Sequence, residues 1–246
     1  MCTYKQNEQQ SPACATEHTS NNFLHDHHGH EHHDHSLSDE LIMHFPLSVF
    51  AVSMSLIILS IMTALCAGLN PVALSAAFHQ LFHSFHYLHI VFACIGTVLT
   101  FLNFSSALVP AIIVGLVSPA VFCVLSDVIM PYVAGELLGI NMQLHVCFFS
   151  EYFNITAFLL IGLLTGFFLR AQIARGMETR SFLRVIHFSH ILLSALSSLF
   201  YMVSHGYTDW TSQMGIVFII MIICVVVPCT MSDVVTPITI ARLGKK

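Results

Sequence analysis

Six long apolar stretches, separated by short polar or charged segments, dominate the chain after residue 40. A helix that crosses the hydrocarbon core of a bilayer needs roughly 20 apolar residues. We therefore predict an all-α membrane protein with six transmembrane helices. The predicted spans are residues 45–68, 74–102, 106–134, 143–169, 182–204 and 214–239.

The composition agrees with this pattern, because 56% of the 246 residues are hydrophobic and only 9% are charged. Soluble domains carry about 25% charged residues. Residues 1–40 are polar and lack the apolar core of a cleavable signal peptide, so we expect the first span to start insertion. The eight cysteines have no regular spacing and lie mostly in apolar stretches, which predicts free thiols. The chain has no P-loop, and we expect no nucleic-acid partner.

Basic residues predict the orientation in the membrane. They cluster after the fourth and sixth spans, at Arg170, Arg175, Arg180, Arg184, Arg242, Lys245 and Lys246. The positive-inside rule places both clusters in the cytoplasm, and counting back across the spans places the N-terminus there too. The loops near residues 70, 138 and 208 form the predicted outer end. In a bacterium the membrane would be the inner one, because outer-membrane spans are β-strands.

A nine-residue pattern, Cys-x-x-Ser-Asp-Val-x-x-Pro, occurs twice. It covers residues 123–131 and 229–237, and its two acids are 233 − 127 = 106 residues apart. A His-x-x-His pair also recurs, at residues 86–89 and 187–190, and the same offset of 101 pairs His44 with His145. Duplication of a stable helix set alone would explain a shared apolar pattern, but not matched ionisable residues.

The repeats divide the membrane region into two halves, residues 41–135 and 136–246. Each half has three spans, so the second copy begins on the opposite side of the membrane. This predicts an inverted repeat related by a pseudo-two-fold axis, as in many secondary transporters, whose substrate sites lie between the repeats.

The repeated histidines are candidate metal ligands. Residues at i and i+3 share one face of a helix, and imidazole is the commonest metal ligand in proteins. His86 and His89 in one half, and His187 and His190 in the other, therefore suggest metal or proton chemistry. The alternative is that each ring only bonds a neighbouring helix.

The repeated acids are the second set of candidate ligands, because an acid inside an apolar span is costly. Pro131 and Pro237 cannot donate to the carbonyls of Asp127 and Asp233, which leaves each acid beside a free backbone oxygen. The alternative is a proline kink with the acid near the interface. The other candidates in the motif are Cys123, Ser126, Cys229 and Ser232, the cysteines being either soft ligands or small packing residues.

Two further features are compatible with metal transport. Glu151, with Asn154 nearby, is either part of a proton path or an interfacial acid. The segment before the first span is His-rich and interleaved with acids, which predicts a disordered, metal-binding cytoplasmic tail over residues 1–40. Its histidines are His25, His27, His28, His30, His32, His33 and His35. In composition alone, this tract is similar to segments of zinc, nickel and cobalt transporters.

Together these features predict a proton-coupled transporter of a divalent transition metal, with zinc first and nickel, cobalt, manganese or iron next. One half-site would contain His86, His89 and Asp127, and the other His187, His190 and Asp233. They would form one midplane site or two successive stations. The partners would be the metal ion and the lipid bilayer, and the sequence is compatible with a homo-oligomer.

Two other functions fit parts of the pattern. A membrane-embedded zinc hydrolase also needs buried histidines and an acid, although it needs one site rather than two. A haem protein would use paired histidines as axial ligands. We consider a transporter better supported than an enzyme, because the ligands are duplicated.

Overall fold

Six long helices make up most of the structure, a computed structural model that describes residues 37–176 and 180–244. Every regular element in these ranges is helical. All six are long and apolar enough to cross a membrane, which confirms the predicted number of spans and indicates a multi-pass membrane protein. They are α1 (Leu37–Leu65), α2 (Pro71–Phe104), α3 (Leu108–Leu137), α4 (Tyr152–Ala174), α5 (Arg180–Ser204) and α6 (Trp210–Leu243).

The start of α2 has clear local causes. Asn70 caps the helix, because its side-chain oxygen accepts a hydrogen bond from the amide of Ala73 over 2.8 Å. Pro71 follows at the first helical position, where its missing amide hydrogen costs nothing. These signals begin α2 three residues before the predicted span and set the register of the histidines that it carries.

α2 and α5 occupy the centre of the bundle. In their most apolar windows 61% and 67% of the residues are buried, against 28–44% for the other four helices. α2 packs most extensively against α5 and then against α4. The contact with α4 uses Gly162 and Gly166, where an added Cβ would approach Cys94 and Val98 of α2 to 2.8 and 3.1 Å. This Gly-x-x-x-Gly spacing is typical of closely packed membrane helices.

The outer faces of the bundle are apolar at helical spacing. On α3, Ile113, Val117 and Val121 are each more than half exposed. A soluble monomer rarely presents such continuous apolar surface to water. The exposed stripe therefore fits a helix that contacts lipid.

α3 and α6 share an irregularity at the repeated motif. Each has one π-helical turn, at Leu125–Ile129 and Met231–Val235, and each turn ends two residues before a proline. In both, the amide of the residue before the proline bonds the carbonyl five residues back. Because Pro131 and Pro237 lack an amide hydrogen, the ordinary helical pattern is already interrupted there. Single π turns are frequent at functional sites, and these two contain the repeated acids.

The predicted fourth span, 143–169, is wrong at its start. α4 begins at Tyr152, residues 140–146 are not helical, and a short helix, Cys147–Ser150, intervenes. The amides of this segment bond other parts of the fold. Gln143 donates to the carbonyl of His205 over 3.1 Å, and His145 donates to the Tyr201 hydroxyl over 3.0 Å. These tertiary hydrogen bonds replace the helical ones.

Candidate metal centre

The Asp127 carboxylate is fully buried and lies within hydrogen-bond distance of four side chains. Nδ1 of His86 and Nδ1 of His89 are 2.8 and 2.7 Å from Oδ2. The hydroxyls of Ser126 and Ser194 donate to Oδ1 over 2.7 and 3.0 Å. An ionised carboxylate only accepts, so both imidazoles donate from Nδ1. In a neutral ring this leaves the lone pair of Nε2 free for a metal ion.

Asp233 has a related but looser environment. Its Oδ2 is hydrogen-bonded to Nδ1 of His190 and lies 3.9 Å from Nδ1 of His187. The Thr97 hydroxyl is 3.5 Å from Oδ1. His187 is 23% exposed, whereas both histidines beside Asp127 are buried. The second set is therefore more open than the first.

The two sets meet at a group of nitrogen and sulfur atoms in the core. The ring centroids of His89 and His190 are 4.7 Å apart. Sγ of Cys123 and Sγ of Cys229 each lie 3.8 Å from Nε2 of His89. Nitrogen and sulfur ligands of a tetrahedral zinc ion are about 3.6 Å apart, given the usual bond lengths. One ligand atom each from His89, His190 and Cys229 can be chosen so that all three lie within 4.8 Å of one another.

Buried imidazole nitrogens without a partner also point to a cation. Nε2 of His86 and Nε2 of His190 are inaccessible to solvent and have no hydrogen-bond partner among the described residues. An unsatisfied buried polar atom costs about 1–3 kcal/mol. A cation bound to the free lone pair would remove that cost. The carboxylates would then orient the ligating rings through Nδ1, as second-layer carboxylates do in many zinc sites.

Most of the residues predicted from the repeats come together in this centre. They are His86, His89, Cys123, Ser126, Asp127, His187, His190, Cys229, Ser232 and Asp233. Their roles differ, because Ser126 bonds the acid beside it whereas the carbonyl of Ser232 accepts from Thr97 and Ser118 over 3.1 Å each.

Of the remaining predicted residues, the structure describes Glu151 and His145, and neither belongs to the groups of candidate ligands at the repeated acids. Glu151 accepts a hydrogen bond from Asn154 over 2.6 Å just before α4. His145 lies in the non-helical segment at the predicted outer end. His44 lies in the first turns of α1, over residues 37–44, of which only the backbone is described. The tail histidines lie outside the described residues.

Outside the spans, burial shifts two pKa values near His145. It lowers the pKa of His205 below its ordinary value, which favours the neutral imidazole. It raises the pKa of Cys147 to about 12, so this thiol stays protonated at neutral pH. Burial therefore favours the neutral form of both the His205 imidazole and the Cys147 thiol.

Sequence reasoning missed two residues that shape the centre. Ser194, which donates to Asp127, lies four residues after His190 on α5, so helical spacing already placed both on one face. Gly96 lies against Asp233, and an added Cβ there would be 2.6 Å from Oδ2. Nothing in the sequence shows this close approach, because it depends on the packing of α2 against α6.

Two cavities open near opposite ends of α2. One of about 800 Å³ at the predicted outer end is lined by residues that include His79, His145 and His205. The other, about 470 Å³, is lined by Gly96, His187 and Asp233 among others. The nitrogen and sulfur group lies between the two cavities along α2. The smaller cavity directly reaches the second half-site, which contains His187 and Asp233.

Replacing Gly96 with alanine is expected to weaken metal binding by about 10–100-fold, the usual effect of disturbing a carboxylate behind a metal ligand. The new methyl group would displace Asp233 and break its hydrogen bond with His190. Zinc affinity of the purified protein is the measurement. Gly215→Ala is the matched control, because no atom lies within 4 Å of a Cβ added there. Equal affinity in both variants would contradict the expectation.

Comparison with protein-family models, with curated proteins and with solved structures found no match. The chemistry of the site therefore carries the functional argument. Imidazole and cysteine sulfur favour zinc and related transition metals, whereas a site for magnesium or calcium would be built mainly from oxygen.

Proposed function

We propose that the protein is a membrane transporter whose substrate is a divalent transition-metal cation, with zinc as the first candidate. One observation carries the proposal. Two sets of histidines and an acid, from two pairs of helices, meet at a buried group of nitrogen and sulfur atoms. Ionisable residues inside membrane spans commonly mark ion pathways, because burying them is otherwise costly.

The inverted repeat is part of this proposal. In one half α2 carries the histidine pair and α3 the acid, and in the other α5 and α6 do the same. The shared π turns at the acids support a common origin for the halves. With three spans in each half, the copies have opposite orientation, and both termini lie in the cytoplasm.

Alternating access to the buried centre would move the ion. From the predicted cytoplasmic end, the cavity beside His187 and Asp233 provides the entrance. From the other end, a second cavity approaches the first turns of α2. A rearrangement of one half against the other would expose the centre to each side in turn. Both half-sites then serve a single ion route rather than two independent ones.

Protons are the proposed coupling ion. A thiol must lose its proton to bind metal, and a histidine must be neutral, so ion binding releases protons. The buried carboxylates accept hydrogen bonds from the rings and would stabilise an imidazolium once the metal has left. Zinc is preferred over nickel, cobalt, manganese and iron because its sites combine imidazole and cysteine in tetrahedral geometry. The His-rich tail would gather or buffer the ion.

The two other functions considered from the sequence gain no specific support. Axial imidazoles bind opposite faces of a haem, whereas the rings of His89 and His190 approach each other directly at 4.7 Å. A hydrolase needs one metal position open to water, and the nitrogen and sulfur group is buried.

The experiment that tests this function is the metal content of cells that express the protein. Zinc, nickel, cobalt, manganese and iron are measured against cells that express His190→Ala at the same level. We expect the content of at least one metal, zinc first, to differ between the two. Equal content of all five metals at equal membrane expression would contradict transport.

A further inference from the structure

Four histidines cluster at the predicted outer end of the bundle, apart from the metal centre. They are His79, His83, His145 and His205, whose ring centroids lie 4.4–5.8 Å from at least two others in the group. Two nitrogens bound to one tetrahedral zinc ion are about 3.3 Å apart. Nε2 of His79 and Nε2 of His83 have that separation, 3.3 Å. Ligand atoms of His79, His83 and His145 can all be chosen within 4.8 Å of one another.

The helix and the loop hold these rings in place from two directions. His79 and His83 are four residues apart on α2 and therefore share a face. His145 comes from the non-helical segment, whose backbone is fixed by Tyr201 and by the carbonyl of His205. The third ring is thus positioned by hydrogen bonds of its own segment rather than by chance proximity on a flexible loop.

The fourth histidine, His205, packs against the rings of His79 and His145. Its ring stacks on that of His145, with centroids 5.8 Å apart and an interplanar angle of 15°. Its Nδ1 is 2.9 Å from the carbonyl of Tyr201, which fixes the hydrogen on Nδ1 and leaves Nε2 as the acceptor. The adjoining cavity of about 800 Å³ gives ions and water access to the group.

We propose that His79, His83 and His145 form a second divalent-metal site, separate from the buried centre and reached from the predicted outer end. Imidazole ligands alone suit zinc, nickel and copper. α2 continues from this site to the centre through His86, one turn after His83, so a single helix face carries nitrogen ligands from the cavity into the core. This site would also exchange ions with the buried centre, a further role that rests on the proposed function.

The test is protection of individual histidines by zinc. The 246-residue chain, purified in detergent, is treated with diethyl pyrocarbonate over a range of zinc concentrations, and modification is measured for each histidine by mass spectrometry. This readout separates the site from the His-rich tail. The variants are His145→Ala, Gln80→Ala and Cys229→Ala. Gln80 lines the same cavity but has no imidazole nitrogen that could bind a metal ion, so Gln80→Ala is the matched control.

In the wild type, zinc is expected to protect His79, His83 and His145 with one common midpoint concentration. Gln80→Ala should leave this midpoint unchanged. His145→Ala should raise it for His79 and His83 by more than about tenfold, since one of three ligands is lost. Cys229→Ala should keep the protection, because it alters only the buried centre.

Three results would overturn the second site. The first is absence of zinc protection at His79 and His83, which would leave their 3.3 Å contact as a plain hydrogen bond. The second is an unchanged midpoint in His145→Ala. The third is loss of protection in Cys229→Ala, which would show that zinc protection of the outer histidines depends on the buried centre. Protection that persists in a protein without transport would support this site while contradicting the proposed function.

Discussion

Replacing His89 with glutamine is expected to abolish metal binding at the buried centre. His89 belongs to two groups of candidate ligands, because its Nδ1 bonds Asp127 while its Nε2 lies 3.8 Å from Sγ of Cys229. A glutamine amide can donate to the carboxylate but places no imidazole lone pair at the sulfur atoms. The change therefore removes the ligand and keeps a hydrogen-bond donor for the buried acid.

Cobalt absorption provides the measurement, because cobalt bound to a thiolate has a characteristic charge-transfer band. We expect the band in the wild type and its loss in His89→Gln and in Cys229→Ala. Cys224→Ala is the matched control, since Cys224 lies five residues earlier on the same helix and is equally buried, at 2% exposure. An unchanged band in His89→Gln would place the bound metal elsewhere in the chain, because both thiols of the centre lie 3.8 Å from Nε2 of His89.

Replacing either Asp127 or Asp233 with asparagine is expected to lower zinc affinity by about 10–100-fold, as loss of a carboxylate behind a metal-binding histidine does. Asparagine keeps the shape but loses the charge that holds the Nδ1 hydrogens. Asp127 also accepts hydrogen bonds from two hydroxyl groups. The side-chain amide nitrogen of an asparagine at this position would therefore face at least one other donor. We therefore expect the larger loss in Asp127→Asn.

Zinc accumulation by cells, measured as a function of external zinc, tests these two variants. Both should require higher zinc than the wild type to produce the same change in cell zinc content, because the ion passes both half-sites. Glu136→Gln is the control, since its Oε1 only accepts from the amide of Met142 and the glutamine keeps that oxygen. Impairment in one Asp variant alone would favour a single-site function, such as the hydrolase, over a route through both halves.

The sequence was sufficient to predict the six helices and most residues of the buried centre, because both follow from local patterns of residues. Apolar length alone located six spans, and the repeated motifs identified the histidines and acids that the core contains. The fourth span began too early because the segment before Tyr152 is held by hydrogen bonds to α5. Hydropathy carries no information about such tertiary contacts.

The sequence did not show how the two half-sites combine. The contact of His89 with His190 and Cys229 depends on how α2, α5 and α6 pack, and no spacing within one helix encodes it. The repeat offset also paired His145 with His44. That pairing marks equivalent positions and predicts no neighbour for either ring, and the structure places His145 beside His79. The spacing of His79 and His83 places both on one helix face. Only the structure of the non-helical segment shows which histidine completes the group.

Zinc flux into liposomes that contain the purified 246-residue chain tests the central claim most directly. A zinc-sensitive dye inside the vesicles reports entry after zinc is added outside, with a proton gradient in either direction. We expect flux with the wild type and with Cys224→Ala, and none above protein-free vesicles with His89→Gln. Equal flux in the wild type and His89→Gln, or no flux of any divalent metal with the wild type, would contradict a cation route through the buried centre.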